Sequence, residues 1–499
     1  MMFTKEFKEG EGKMENIFTG IEHKVLHEGK AKKYKEIEYD SRKVKRGGIF
    51  AALEGFSVDG HEFIDTAVEN GAAMVIVSRD VEIKYPDVTY VKVENLRKHL
   101  GVIASNFYGW PQKKMKIVGV TGTNGKTTTT YIIETILGEC SRLGTIEYKI
   151  GNDVFPAPNT TPESLDIIKM CAKSLDAGID KLVMEVSSHA LELGRVDMLE
   201  FDTAIFTNLT QDHLDFHKTM ENYFKAKTKL FDKLKQNAKG VVNIDDKWGK
   251  KLYENNTAKY ISCSLDTGNL TGRIAELTNH DMVIDIVYKG DKYTFTTELM
   301  GKFNLYNILG AVGAALALGM EFEEIIVNIK NVKKVPGRFE TVNEKQDYMV
   351  VVDYAHTDDG LINILQALKD LKKGKIVTVF GAGGDRDKTK RPKMAKAAAK
   401  YSDYILITSD NPRTEDPVQI LADVEVGLKE VKFPKEKYEV IEDREAAIAK
   451  AILFANKDDI ILIAGKGHED YQIIGKAKHH FDDREVARKY IIKNREELI

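Results

Sequence analysis

The run Thr121-Gly122-Thr123-Asn124-Gly125-Lys126-Thr127 has the make-up of a loop that closes around phosphate. Glycines let backbone N–H groups turn onto phosphate oxygens, and a helix opening at Lys126 adds the positive end of its dipole. Lys126 would then reach the β- and γ-phosphates, and the Thr127 hydroxyl would bind Mg²⁺. The general pattern asks for a further glycine where Val120 stands, so a glycine turn ahead of an ordinary helix is the competing reading. Strand, Gly-Lys-Thr and helix in that order favour the phosphate loop.

Three side chains downstream have types that suit such a site. Glu185 ends the apolar run Lys181-Leu-Val-Met-Glu, and α/β folds bind ligands at the C-terminal ends of strands. It is either a surface glutamate or a hard oxygen ligand for Mg²⁺ beside Thr127, and its position favours the second. His213 follows the strand-like run Thr203-Ala-Ile-Phe-Thr-Asn, where a lone histidine is more often structural than a metal ligand. Lys227 shares a helical stripe with Met220, Tyr223, Phe224 and Phe231. A lysine there ordinarily packs its stem and snorkels its amine to water.

The elements that would carry these residues alternate between strand and helix. Gly48-Ile-Phe-Ala-Ala-Leu and Ala73-Met-Val-Ile-Val read as strands around a helix from Ile64 to Asn70, and Gly109-Trp-Pro-Gln-Lys-Lys reads as a linker. Lys116-Ile-Val-Gly-Val, the loop and a helix through Leu137 open a second segment. A third begins near Val335-Pro-Gly-Arg, with strands at Met349 to Asp353, Ile376 to Phe380, Tyr404 to Thr408 and Ile460 to Ala464. Leu361, Ile364, Leu365, Leu368 and Leu371 keep helical spacing between the first two. The expectation is an α/β chain of three domains, 1–112, 113–334 and 335–499. The central one is a P-loop ATPase with a mainly parallel sheet, and the last is Rossmann-like and doubly wound.

At 499 residues the chain is too long for one core, and its 42% apolar and 30% charged residues are those of a soluble globular protein. A net charge of −3 offers no broad basic field for nucleic acid or anionic membrane. Cys140, Cys171 and Cys263 are far apart with no CxxC pair, which argues against a disulfide framework or zinc site and for a reducing compartment. Met1 to Gly20 is polar and lacks the core of a signal peptide, and Ile308 to Met320 is too short to span a bilayer and reads as a buried helix. A cytoplasmic monomer is expected.

Gly122-Thr-Asn-Gly-Lys-Thr-Thr128 resembles the ATP loop of the Mur ligases and their folylpolyglutamate synthetase relatives. Five blocks resemble the same family in the same order: Met184-Glu-Val-Ser-Ser-His, Asn208-Leu-Thr-Gln-Asp-His-Leu-Asp, Pro336-Gly-Arg-Phe-Glu, Asp353-Tyr-Ala-His-Thr and Gly465-Lys-Gly-His-Glu. Asp40-Ser41-Arg42, Asn159-Thr160-Thr161 and Asp410-Asn411-Pro412-Arg413 are similar to the tripeptide-synthetase branch, the last in the form of enzymes that add meso-diaminopimelate. Asp358 replaces the proline usual after Asp-Tyr-Ala-His-Thr, and Leu193 stands where relatives often carry glutamine.

The resemblance implies a reaction in peptidoglycan synthesis. ATP phosphorylates the free side-chain carboxylate of D-glutamate in UDP-MurNAc-L-Ala-D-Glu, an amino group attacks the acyl phosphate, and amide, ADP and phosphate result. It implies ATP contacts from Gly122, Thr123, Asn124, Gly125, Lys126, Thr127 and Thr128, joined by Asn304, Arg338 and Asp353 when the third domain closes. Two Mg²⁺ ions would be held by Thr127, Glu185, His213 and Lys227. Two such ions would repel an ammonium at Lys227, and the matching family lysine is carbamylated by CO₂ into an anionic ligand. Lys126, His213 and Lys227 carry the catalytic roles. The UDP-substrate is implied at Ser41, Asn159, Thr160, Thr161, Ser187 and Arg195, and the amino acid at Arg386, Asp410, Asn411, Pro412, Arg413, Gly465 and Glu469.

Alternatives from the residues themselves are few. Gly381-Ala-Gly-Gly-Asp-Arg386 fails the dinucleotide fingerprint because Arg386 takes the place of the third glycine. A folylpolyglutamate synthetase-like enzyme would share the ATP loop but not Asp-Asn-Pro-Arg. A ligase for L-lysine or another diamino acid, or a non-catalytic nucleotide-binding relative, completes the set.

Overall fold

The computed structural model describes residues 12–55, 58–278 and 281–496. Residues 1–11, part of the polar stretch read from the sequence, lie outside them. Three large sheets and two two-stranded ones carry the described chain. Residues 24–92 form a five-stranded sheet in which Ile37–Glu38, Gly48–Ala51, Ala72–Val77 and Thr89–Lys92 run parallel and Lys24–His27 closes one edge antiparallel.

The central sheet has eleven strands. Lys116–Thr121 lies inside it, between Lys181–Glu185 and Thr203–Phe206, with all three parallel. These strands read as continuous apolar runs because both faces are covered, by Lys126–Leu137 and Lys302–Ala317 on one side and Ser164–Asp176 and Met220–Asp232 on the other. The expected buried helix is thus present as Lys302–Ala317. The sheet is mainly parallel, as expected, with antiparallel additions at its two edges. The strands Glu147–Ile150 and Asp153–Pro156 add an antiparallel hairpin at one edge, and Leu270–Leu277, Met282–Tyr288 and Asp291–Thr297 a meander at the other.

The third sheet runs in the order Glu340–Val342, Met349–Asp353, Ile460–Ala464, Ile376–Phe380, Tyr404–Ile407, Tyr438–Val440, with all but the first parallel. The chain moves outward through helices Asp358–Leu371, Lys390–Tyr401 and Pro417–Glu430 on one face. It returns through Arg444–Leu453 on the other, which is doubly wound. Leu361, Ile364, Leu365, Leu368 and Leu371, which keep the expected helical spacing, are all buried.

Gly109 to Lys114, read as a linker, leads into the strand Lys116–Thr121. It forms a short 3₁₀ turn, Pro111–Lys114, in which Gln112 is buried and donates to Ser105 Oγ at 2.7 Å. The three cysteines are buried and unpaired, and among the described residues no helix is long and apolar enough to cross a membrane.

Candidate active site

Strand pairing alone brings the first group together. Glu185 sits opposite Val120 on the neighbouring strand, and Phe206 opposite Thr121, so the ends of three strands meet where the glycine loop begins. Val120 is still paired strand, which is why no glycine is needed there; the turn starts two residues later. Gly122 has φ +148° and Gly125 φ +86°, and a Cβ on either would collide with Thr207 or Asn307. The loop is stitched to the next strand's exit. Asn124 N–H donates to Asn208 Oδ1 at 2.9 Å, Thr123 N–H to the Asn208 carbonyl at 2.9 Å, and Thr207 Oγ1 to the Asn124 carbonyl at 2.6 Å.

Two lysines converge on this loop. Lys126 Nζ donates to the carbonyls of Gly122 at 3.0 Å and Thr123 at 2.9 Å, and Lys227 Nζ donates to the same Gly122 carbonyl at 2.8 Å. Lys227 does not snorkel: it is 1% exposed on the inward face of Met220–Asp232, with Tyr223 beneath its amine. Burial holds its pKa well below the ordinary lysine value, Lys126 lowers it further, and Asp212 opposes both. Lys126 is lowered by burial too.

His213 has φ +51°, and its ring lies 3.4 Å from Asp212 and edge-on to His189. Desolvation, helped by His189, Lys227 and Lys126, keeps the imidazole neutral against the pull of Asp212. Glu185 accepts from Thr145 N–H at 2.8 Å and Thr145 Oγ1 at 3.0 Å.

The third segment reaches this loop. Arg338 Nη2 donates to Thr127 Oγ1 at 3.2 Å with its guanidinium over the Tyr354 ring, and Asn124 Nδ2 donates to Asp359 Oδ2 at 2.7 Å. Lys390 forms an ion pair with Asp212. Asp353 accepts from the N–H groups of Phe339 and Ala355 at 2.7 and 2.8 Å, fixing the turn that presents Arg338.

A second group gathers at the far end of the third sheet. Asp410, Asn411 and Pro412 are buried, and Gly384 N–H donates to the Asn411 carbonyl at 2.9 Å, lacing the Arg386 loop to them. Arg413 holds a left-handed φ of +52°, fixed because its N–H donates to the Ile473 carbonyl and its carbonyl accepts from Gly475. Its Nη1 donates to the Gly384 carbonyl at 2.7 Å. Asn411 Nδ2 donates to Glu469 Oε2 at 2.9 Å, and Gly465, at φ +116°, leaves room for Asp410 that a Cβ would fill.

Models of three families match the chain: "Mur ligase family, catalytic domain" over residues 33–108, "Mur ligase middle domain" over 120–315 and "Mur ligase, glutamate ligase domain" over 337–467. A UDP-N-acetylmuramoyl-L-alanyl-D-glutamate–2,6-diaminopimelate ligase of Fusobacterium nucleatum is 54% identical over 487 residues, 96% of this chain and 99% of that one. The ligase of the same name from Clostridium botulinum is 44% identical over 95% of this chain and 98% of its own. A solved structure with that name superposes with a TM-score of 0.63 at 32% identity, covering 93% of this chain and 96% of the other. The chain belongs to the Mur ligase family.

In this Mur ligase the residues expected for the UDP-substrate fall into two places. Thr161 Oγ1 donates to the Glu185 carbonyl at 2.9 Å and accepts from Ser187 N–H at 3.0 Å, Thr160 meets Thr145 at 3.1 Å, and Arg195 donates to the Thr161 carbonyl at 2.9 Å. Asn159 precedes them on the surface. Ser41 stands apart, buried in a short turn of the first sheet beside Asn70. Arg386 is exposed, and Asn304 is buried with its amide engaged by Met300 and Asn307.

Sequence reading passed over several residues of this Mur ligase. Asn307 lies against Gly125, and its spacing of three from Asn304 on one helix was the available signal. Lys466 lies within the Gly465-Lys-Gly-His-Glu block but was given no role, and Asp359 and Lys390 carried no signal, because only tertiary folding brings them to the loops they touch. At the substituted position, Asp358 opens a helix capped by Thr357, where an acidic first turn suits the helix dipole as a proline suits the first turn by shape.

Proposed function

We propose that this Mur ligase joins meso-diaminopimelate to UDP-N-acetylmuramoyl-L-alanyl-D-glutamate at the expense of ATP, through an acyl phosphate. The observation that carries the choice of amino acid is the pocket at the third sheet. Carboxylates of Asp410 and Glu469 gather there around Asn411, with Arg413 braced on the adjoining Gly384 loop, a set that suits an α-amino and α-carboxylate pair. L-lysine ends in an amine alone and would leave Arg413 without its carboxylate.

The glycine loop, with Lys126, Thr127 and Thr128, holds the triphosphate, and Asn304, Arg338 and Asp353 serve the rest of the nucleotide. Thr127, Glu185 and His213 suit Mg²⁺ in chemistry: a hydroxyl, a carboxylate and a neutral imidazole. Among the described residues no three His, Cys, Asp or Glu side chains gather closely enough to hold a metal alone, so this reading adds phosphate oxygens and a further anion to the ligand set. That anion is Lys227 after reaction with CO₂: its uncharged amine adds to the carbon and loses a proton, leaving a carbamate. Bound Mg²⁺ neutralises the approaching carboxylate and triphosphate. This chain's part is to align the carboxylate with the γ-phosphate and exclude water from the acyl phosphate. Ser41, Thr160, Thr161, Ser187 and Arg195 bind the UDP-substrate, and Arg386, Asp410, Asn411, Arg413, Gly465 and Glu469 the amino acid. We place domain boundaries after Gln112 and Lys334 and read the enzyme as a cytoplasmic monomer.

Purified protein with ATP, Mg²⁺, UDP-MurNAc-L-Ala-D-Glu and meso-diaminopimelate should yield the tripeptide by mass spectrometry with matching ADP. No product with any diamino acid would overturn the reading.

A further inference from the structure

Lys466 is the most completely enclosed lysine side chain of the third sheet's ligand face, with 0% exposure. It follows the strand Ile460–Ala464 and is flanked by Gly465 and Gly467, both at positive φ. A Cβ on Gly465 would lie 2.5 Å from Asp410 Oδ2, and one on Gly467 2.7 Å from the Gly337 carbonyl oxygen. The backbone is therefore fixed on both sides of the lysine.

Its ammonium meets two acceptors, Glu469 Oε2 at 3.2 Å and Asn411 Oδ1 at 3.3 Å, above the Tyr471 ring. Asn411 is then fully determined. Its Oδ1 accepts from Lys466 and from Ile473 N–H at 2.9 Å, and its Nδ2 donates to the same Glu469 oxygen that Lys466 touches. Lys466 and the Ile473 N–H together set which way the amide points, and so where Glu469 is held.

Charge makes the same case. Burial pushes the Glu469 carboxyl above its ordinary value, the nearby Asp410 pushes it the same way, and Lys466 pulls it down. The neighbouring buried cation, Arg444, is already paired to both oxygens of Asp483 at 2.7 Å. Lys466 is left to face Glu469. A buried charge of this kind is costly unless paired, and removing it leaves a desolvated carboxylate that takes up a proton.

We infer that Lys466 is a positioning residue of the amino-acid pocket, which never touches the amino acid but holds Glu469 ionised and Asn411 oriented to receive its ammonium group. This rests on the ligase reading above. Lys466→Met keeps the length and apolar stem of the side chain while deleting the charge. It is expected to raise KM for meso-diaminopimelate about ten-fold or more, the loss of one charge-assisted contact, with KM for ATP and UDP-substrate unchanged. Glu469→Gln should do the same, and the double variant should be no worse than Glu469→Gln, because Lys466 acts through that carboxylate.

A brace that is merely structural would raise all three KM values together or lower the yield of folded protein. If Lys466→Met is not recovered folded, Lys466→Gln, which still donates to Asn411, is judged by the same split. Unchanged KM for diaminopimelate, equal rises for all substrates, or additive effects in the double variant each overturn the inference while wild-type ligation stands. A wild type that adds no diaminopimelate removes the ligase reading and this inference with it.

Discussion

Lys126 and Lys227 aim their amines at one oxygen, the Gly122 carbonyl, at 3.0 and 2.8 Å. Two buried ammonium groups cannot comfortably share one acceptor, so the more enclosed amine, Lys227, is the one driven to lose its proton. An uncharged amine is the form that attacks CO₂. Lys227→Ala should lower kcat by at least about a hundred-fold, the scale of a lost charge-stabilising group, with partial rescue by formate or acetate. Full activity of the alanine variant in CO₂-depleted buffer would contradict the carbamate.

Arg338 and Thr127 lie 211 positions apart in sequence, yet their side chains are 3.2 Å apart. With Asn124–Asp359 and Asp212–Lys390, this contact joins the third segment to the phosphate loop. Arg338→Ala should cost about 2 kcal/mol, or about 30-fold in kcat/KM for ATP. Small-angle scattering of the wild type should show compaction when ATP and UDP-substrate are both present, and less in the variant. An unchanged radius of gyration in the wild type would count against closure.

His217 and His468 set a pH dependence of stability. Burial, with cations nearby, pushes His217 down to about 4 and His468 down to about 3 from 6.5. Below pH 6.5 the unfolded chain takes up protons that the folded chain refuses, so stability is full above that value and falls as pH drops toward 4. The Tm of ligand-free protein should fall by several degrees between pH 7.5 and pH 5, and by less in His217→Gln. A flat Tm over that range would show that these rings are not held neutral.

Much of the fold was legible because its inner strands are buried on both faces. Lys116–Thr121, Lys181–Glu185 and Ile376–Phe380 read as apolar runs and fall where expected. The meander from Leu270 to Thr297 escaped because it mixes buried and exposed positions toward one edge of the sheet, and the hairpin Tyr471–Ile474 with Ala477–His480 because it has no buried face at all. The motif-borne residues of the site were legible as residue types; Asp359 and Lys390 were not, since each acts through a contact made only in three dimensions.

The choice of amino acid tests the central claim most directly. A diamino acid without the second carboxylate leaves Arg413 desolvated and unpaired, at about 2 kcal/mol or more. The ratio of kcat/KM for meso-diaminopimelate to that for L-lysine should therefore be at least about 30 in the wild type, and should collapse in Arg413→Ala while KM for ATP holds. Equal kcat/KM values for the two amino acids in the wild type would contradict it.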